Sequence, residues 1–320
     1  MASAEAVAAV IEAGGAHVPE LLDRLEVRLA EVAASHGAVL AEHAGATISA
    51  GGKRLRPLLV FVAAGAASDG VLRAAVAVEL VHSATLVHDD VLDAAQLRRG
   101  RPTVVAAAGR ELATATGDLL FSRAFAELVA NGRADEVRVL STASSALAQG
   151  ELMQRSDAWD VGVSRERYLE RCDLKTARLF EAACRLGALE GGGPDELLGQ
   201  FGRRIGLAFQ LLDDVLDVSG PAERTGKHRG TDLLDGTVTL PLIVARERDP
   251  ALAALDLRGV RTPEEAEAVC DAIAATGALE VARGDALAMV ADAKADLPEL
   301  PPAQRGALEL VADGVVDRYS

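Results

Sequence analysis

The chain has 320 residues, 50% of them hydrophobic and only 3% aromatic, enough for one large core packed mainly from small aliphatic side chains. Asp plus Glu number 48 against 33 Lys plus Arg, and the net charge of −15 repels phosphate backbones and sets aside DNA or RNA binding. Three cysteines (Cys172, Cys184, Cys270) form no paired framework and show no metal-ligand spacing; no apolar run approaches the roughly 18 residues of a membrane span, and the opening MASAEAVAAVIEAGG lacks the basic flank of a signal peptide, so a cytoplasmic setting is expected.

Helical periodicity runs through the chain. Leu21, Leu22, Leu25, Val27, Leu29, Val32 and Val39 recur mostly at spacings of two to four with charges between, which predicts an amphipathic helix. Residues 58–67 and 71–88 are nearly apolar throughout and predict helices enclosed on all sides. Similar segments follow at 111–131, 135–153, 164–187, 195–217 and 238–247, punctuated by Asn131-Gly132, the GGGP run at 191–194 and Gly220-Pro221. Residues 248–320 read as further helices with an acidic surface. With no alternating strand pattern of useful length and no polar linker, the expected architecture is one all-α domain over residues 1–320, a bundle of roughly ten or more helices. Its motif-bearing core spans about 45–245 and C-terminal helices occupy 246–320.

Charge interrupts the apolar pattern at two places. The pentad DDVLD occurs at 89–93 and again at 213–217, with first aspartates 124 residues apart, each at the end of a strongly apolar helix. Residues four apart share a helix face, so Asp89 projects with Asp93 and Asp213 with Asp217, while Asp90 and Asp214 sit about 100° round. Like charges at this spacing repel, and beside buried turns their desolvation demands a compensating cation. Carboxylate oxygens suit Mg²⁺, which commonly shares its coordination with phosphates. Either pentad alone also reads as a solvated acidic helix end; the matched pair points to metal and diphosphate.

A cationic set accompanies the acids: GGKRLRP at 51–57, LRRGRPT at 97–103, Lys175-Thr176, and GKHRGTD at 226–232. The chain has four lysines, and three of them (Lys53, Lys175, Lys227) fall in these segments. Lysine is a point-charge phosphate binder and arginine a bidentate one. Acids and bases together suggest two anion sites, one bridged by metal and one gripped directly, as chemistry with a diphosphate leaving group requires.

These motifs resemble those of the trans-polyprenyl diphosphate synthases. The matching stretches are GGKRLRP (51–57), HSATLVHDDVLD (82–93) with RRGRPT (98–103), KTARLF (175–180), and FQLLDDVLD (209–217) with GKHRGTDLLDG (226–236), in order, across roughly residues 51–241. The resemblance implies an all-α bundle around a deep central cavity, normally a homodimer, using Mg²⁺ with three ions per site. It implies condensation of isopentenyl diphosphate with an allylic diphosphate. Position by position, Asp89, Asp93 and Asp213 look like the principal Mg²⁺ ligands, with Asp90, Asp214 and Asp217 supporting them directly or through water. Arg98 resembles the arginine that holds the allylic diphosphate, joined by Lys175 and Lys227. Lys53, Arg56, His82 and Arg99 resemble the metal-free pocket for isopentenyl diphosphate. Thr176 and Gln210 match positions that face the reacting carbons. One departure is Thr237, which stands where the family often has a second lysine after the loop and implies a weaker diphosphate clamp.

Product length depends on the residues upstream of Asp89, since one helical turn of about 5.4 Å is close to one extended isoprene unit. Ala84, Thr85, Val81, Ala77 and Val78 are small or aliphatic, and no aromatic residue lies between Phe61 and Phe121. This favours a long product, hexaprenyl to decaprenyl, with Phe121 and Phe125 as candidates for a deeper floor. The alternatives are a geranylgeranyl or farnesyl diphosphate synthase, and, more remotely, a terpene cyclase or a non-catalytic partner subunit. His88 reads equally as a packed histidine or as a group that tunes the carboxylates; Cys172 and Cys184 read as core, and Trp159 and Tyr168 as packing or dimer contacts.

Overall fold

The computed structural model describes residues 4–49, 52–98, 100–220 and 229–317. Its helices, in chain order, are α1 (Ala4–Ala13), α2 (His17–Ala34), α3 (Ala38–Ser49), α4 (Leu55–Ala64), α5 (Asp69–Leu92), α6 (Val104–Ala108), α7 (Arg110–Val129), α8 (Ala134–Ser156), α9 (Arg165–Cys172), α10 (Arg178–Gly191), α11 (Asp195–Ser219), α12 (Thr231–Leu234), α13 (Leu240–Arg248), α14 (Pro250–Ala253), α15 (Pro263–Ala275), α16 (Ala278–Ala295) and α17 (Pro302–Asp317). A π-helical turn, Asp173–Ala177, joins α9 to α10. Between α5 and α6 a two-residue ribbon pairs β1 (Leu97–Arg98) antiparallel with β2 (Arg101–Pro102).

Helices α4, α5, α10 and α11 form the centre; α7 and α8 cover one flank and α16 and α17 the other. The central helix α5 starts at Ser68, whose hydroxyl accepts from the Val71 N–H at 3.0 Å, with Asp69 favourably placed in the first turn. From Val71 to Val81 nearly every residue is buried, because this helix has no polar face and must be surrounded. Phe61 and Phe180 are fully buried, and each such side chain contributes about 1.5–3 kcal/mol relative to exposure. The C-terminal helix returns to the centre: Gln304 Nε2 donates to the carbonyls of Val62 (3.1 Å) and Ala63 (2.8 Å) in the last turn of α4, where no intrahelical donor is left.

The all-α architecture expected from periodicity is the one observed, with four differences. Residues 21–43 form two helices, broken at Gly37 with φ 85°, and Val27 and Val39 face solvent rather than the core. The segment 164–187 is interrupted by the π-turn. RRGRPT supplies the small ribbon, too short to show alternation. Helix α5 is long and apolar enough to span a membrane, contrary to the reading of run lengths; 67% of its most apolar stretch is buried inside the protein, as in a core helix.

Candidate active site

Both pentads lie at helix C-termini. Asp89 and Asp90 occupy the last turn of α5, and Asp93 caps it, its N–H donating to the Asp89 carbonyl at 2.8 Å. Asp213, Asp214 and Asp217 occupy the last two turns of α11.

The first pentad is surrounded by cations. Arg98, on β1, donates to Asp90 through Nε at 2.8 Å and lies 2.7 Å away through Nη2. Arg155 of α8 pairs with Asp93 and, at 2.8 Å, with Glu151. Lys175 Nζ lies 2.5 Å from Glu151 and donates to Gln154 at 3.2 Å. Burial pushes the Asp89 carboxyl up to about 6; Lys175 opposes this, while Glu151 and Asp93 add to it. Burial alone would also raise Glu151, but Lys175 and Arg155 outweigh it and hold that carboxyl low.

The second pentad is held differently. Asp214 is buried and accepts from the Tyr168 hydroxyl at 2.6 Å and Gln210 Nε2 at 2.8 Å; Thr176 Oγ1 donates in turn to Gln210 Oε1 at 2.6 Å. Burial pushes Asp214 up to about 7 against those two donors. Asp217 stitches the following segment to the helix, its side chain accepting from the Asp232 N–H (3.2 Å) and its carbonyl from the Gly230 N–H (2.9 Å). Burial, with Asp217, Asp214 and Asp213 as like-charged neighbours, raises Asp232 well above the carboxylate range.

A cavity of about 510 Å³ lies beside Asp213 of the second pentad and the turns of α5 that precede the first. It brings together Lys53, Arg56 and His82 with Asp213 and Phe209. The Arg56 guanidinium stacks 4.7 Å from the Phe180 ring centroid. Of the three cations in GGKRLRP, Arg54 also lines the cavity, but its guanidinium is held by Glu26 (2.6 and 3.0 Å), Glu79 (2.6 Å) and the Ile48 carbonyl (3.0 Å). The far wall comes from α1 (Val7, Val10) and α17 (Leu310, Val315), elements the motifs do not mark. Arg99 and Lys227 lie outside the described residues.

Lys175 and Thr176 sit on the π-turn. Such turns reposition side chains within helices. This one is anchored by Asp173, which accepts from Arg178 Nε at 3.0 Å and Arg203 at 2.5 and 2.8 Å. It fits between helices that carry glycine at the contact: a Cβ on Gly150 of α8 would lie 2.5 Å from Lys175 N, and one on Gly206 of α11 would lie 2.8 Å from Ala177 Cα.

Among the described residues no three acidic, histidine or cysteine groups are drawn into a ready-made cation cage. The donor set nevertheless fits a hard divalent cation. Asp89 is flanked by Asp93 and Glu151, is destabilised as an anion by burial, and offers only oxygen. Sequence reading missed Glu151, Gln154, Arg155, Tyr168 and Asp232 as neighbours of the pentads. The polar positions 151, 154 and 155 on one face of α8 were the available signal. His88 stacks on Phe121 with ring centroids 5.7 Å apart, and its Nε2 is 3.4 Å from Asp118. Phe121 therefore stands level with the first pentad rather than deep beneath it. Trp159, with φ 67°, packs its ring over Gly236 and donates its backbone N–H to the Gly236 carbonyl at 2.8 Å. All three cysteines are buried and unbridged.

Comparison with known proteins accounts for this arrangement. The sequence profile described as polyprenyl synthetase matches residues 38–276. The chain is 40% identical over 266 residues to heptaprenyl diphosphate synthase component 2 of Geobacillus stearothermophilus, covering 81% of this chain and 83% of that one. It is 38% identical to geranylgeranyl diphosphate synthase of Methanosarcina mazei, covering 85% and 87%. The crystal structure of a polyprenyl synthase from Caulobacter crescentus, complexed with calcium and isoprenyl diphosphate, superposes with a TM-score of 0.91 at 36% identity over 97% of this chain and 98% of that one. With the sequence profile, the overall fold and the order of its charged motifs in agreement, the chain belongs to the polyprenyl synthetase family and is a prenyltransferase of the diphosphate synthase type.

Proposed function

We propose that this prenyltransferase condenses isopentenyl diphosphate with an allylic diphosphate in Mg²⁺-dependent head-to-tail steps and releases a long all-trans product, hexaprenyl to decaprenyl. The observation that carries the reading is that two aspartate-ended helices share one cavity, α11 lining it with Asp213 and α5 with His82 and Leu86 just before its pentad, beside Lys53 and Arg56.

In this reading Asp89, Asp93 and Asp213 hold the metal, supported by Asp90, Asp214 and Asp217. Bound Mg²⁺ supplies charge neutralisation of the leaving diphosphate. Arg98, Lys175 and Lys227 grip the allylic diphosphate; Lys53, Arg56, His82 and Arg99 grip isopentenyl diphosphate. The allylic C–O bond breaks with its electron pair passing to diphosphate, and the isopentenyl double bond forms the new C–C bond. The proton lost beside it passes to the released diphosphate. Thr176 and Gln210 face the carbons that carry positive charge. The buried walls of the cavity exclude water, which would otherwise capture the cation. Small side chains at Ala84 and Thr85 leave room for the growing chain. Exposed Val129 and Leu152, on α7 and α8, offer apolar surface for a second copy in a homodimer. The Geobacillus relative is named as one component of a synthase, so a pairing with a different subunit is the competing reading.

The test is incubation of the purified chain with Mg²⁺, labelled isopentenyl diphosphate and farnesyl diphosphate, followed by product sizing. A ladder reaching hexaprenyl or longer supports the reading; a stop at geranylgeranyl keeps the chemistry and rejects the long chain. Elongation only after a second subunit is added favours the heteromeric pairing. Replacing Asp89 and Asp213 by asparagine is expected to abolish elongation while the fold is kept.

A further inference from the structure

Tyr168 has no part in the function proposed above, yet it is the largest fully buried side chain among the described residues. Its hydroxyl donates to Asp214 Oδ2 at 2.6 Å, and Asp214 Oδ1 accepts from Gln210 Nε2 at 2.8 Å. Gln210 Oε1 accepts from Thr176 Oγ1 at 2.6 Å. Arg171 closes the other side of the ring, its guanidinium 5.5 Å from the Tyr168 centroid and its Nη2 donating to the Val238 carbonyl at 2.5 Å. These four groups form one chain, and its direction is determined. Whether Asp214 is ionised or carries a proton on the Oδ2 that faces Tyr168, its Oδ1 only accepts, so the Gln210 amide presents its NH₂ group to Asp214 and its carbonyl to Thr176. The carbonyl only accepts, so Thr176 gives its hydroxyl hydrogen to Gln210. The Thr176 oxygen then has nothing but lone pairs for any further neighbour.

We propose that Tyr168 is a positioning residue for prenyl transfer: by holding Asp214 it fixes the direction of the Gln210–Thr176 chain, so that Thr176 presents oxygen lone pairs to the carbons on which positive charge develops. This rests on the reading that Thr176 and Gln210 face those carbons. A dipole already aimed at developing charge needs no reorganisation during the reaction, which is where such groups gain their effect. Without the phenol, Asp214 keeps one of its two donors and can rotate, and the Gln210 amide loses its single orientation. Substrate binding depends chiefly on the cations and on Asp89, Asp93 and Asp213, with Asp214 only in support, so the larger loss falls on kcat.

The experiment is steady-state kinetics of the full chain with Tyr168→Phe, Thr176→Val and the double variant, beside thermal unfolding. Losing one preorganised group directly costs about 10²–10³-fold in kcat, and Tyr168 acts at two removes, so Tyr168→Phe is expected to lose roughly 10-fold or more. Both KM values should stay within about two-fold, and the double variant should be no slower than Thr176→Val alone, because the two residues act through one chain. Wild-type kcat in Tyr168→Phe, or losses that multiply in the double variant, would overturn the proposal. Should Tyr168→Phe not fold, Thr176→Ser and Thr176→Val decide: the chain requires the serine variant to keep its rate and the valine variant to lose it, and equal kcat in the two overturns it. A wild-type chain that elongates no primer, alone or with a second subunit, rejects the prenyl-transfer site reading and this inference with it; an active wild type beside an unimpaired Tyr168→Phe rejects only the inference.

Discussion

Replacing Gly150 by alanine probes how closely α8 supports the turn that carries Lys175. A Cβ at Gly150 would lie 2.5 Å from Lys175 N and 2.8 Å from its Cα, whereas ordinary contact begins at 3.4 Å. The two backbones must separate by about 0.9 Å at the closest pair. The π-turn has little room to retreat, because α11 approaches just as closely behind it at Gly206. Overpacking of this kind costs about 1–3 kcal/mol, and moving a reacting group by about 1 Å costs on the order of 10²-fold in rate. Gly150→Ala is therefore expected to lose stability of that order in urea unfolding and to slow incorporation of labelled isopentenyl diphosphate by one to two orders of magnitude. Gly284→Ala is the matched control. It sits on the exposed face of α16 where a Cβ meets nothing within 4 Å, so alanine there should add about 0.5–1 kcal/mol through helix propensity and leave elongation unchanged. Wild-type rate and undiminished stability in Gly150→Ala would refute the close contact.

Ala84→Phe places a ring in a fully buried position one turn before the first pentad; product sizing is expected to show a sharp shortening, and an unchanged ladder contradicts the assignment of that position as a floor. Arg54→Ala strips the buried Glu79 carboxylate of its 2.6 Å partner and should cost about 3–5 kcal/mol by chemical denaturation, with Glu79→Gln added to it recovering part of the loss. Glu136 is fully buried, accepts from Asn131 at 2.9 Å, and is pushed up to about 8 by burial and by Glu190. The folded chain thus holds a proton that the unfolded chain gives up near 4.5, so this group's stabilisation is complete below that value and is lost as the pH rises towards 8. Thermal scans across this window should show a falling melting temperature that Glu136→Gln flattens; parallel slopes in the two proteins would count against it.

The pentads were legible in sequence because carboxylates ending an apolar helix have no ordinary place, and the GGKRLRP cations because they stand beside a glycine pair. Their division of labour was not legible. Arg54 and Arg56 are two residues apart and both line the cavity, yet the first is tied to Glu26 and Glu79 while the second stacks on Phe180. The choice depends on where α2 and α5 fall, and on Arg54 adopting φ 47°. The contribution of α17 to the cavity was likewise invisible, since it depends on contacts such as Gln304 with Val62, 242 residues apart. The depth assigned to Phe121 failed for a related reason: spacing along α7 says nothing of its register against α5, which the His88 contact sets. Tyr168 read as packing or a dimer contact because a hydroxyl's partner is decided by tertiary structure alone.

The single tryptophan has one more consequence. Trp159 lies against Gly236, five residues beyond the start of α12 and close to the segment tied to Asp217. With only two tyrosines elsewhere in the chain, its emission can be excited selectively, and the indole's colour and intensity depend on the polarity around it. The molecule therefore carries its own optical gauge at the edge of the second pentad. Titration with diphosphate and divalent cation can be followed in native protein by fluorescence, one ring reporting on one turn.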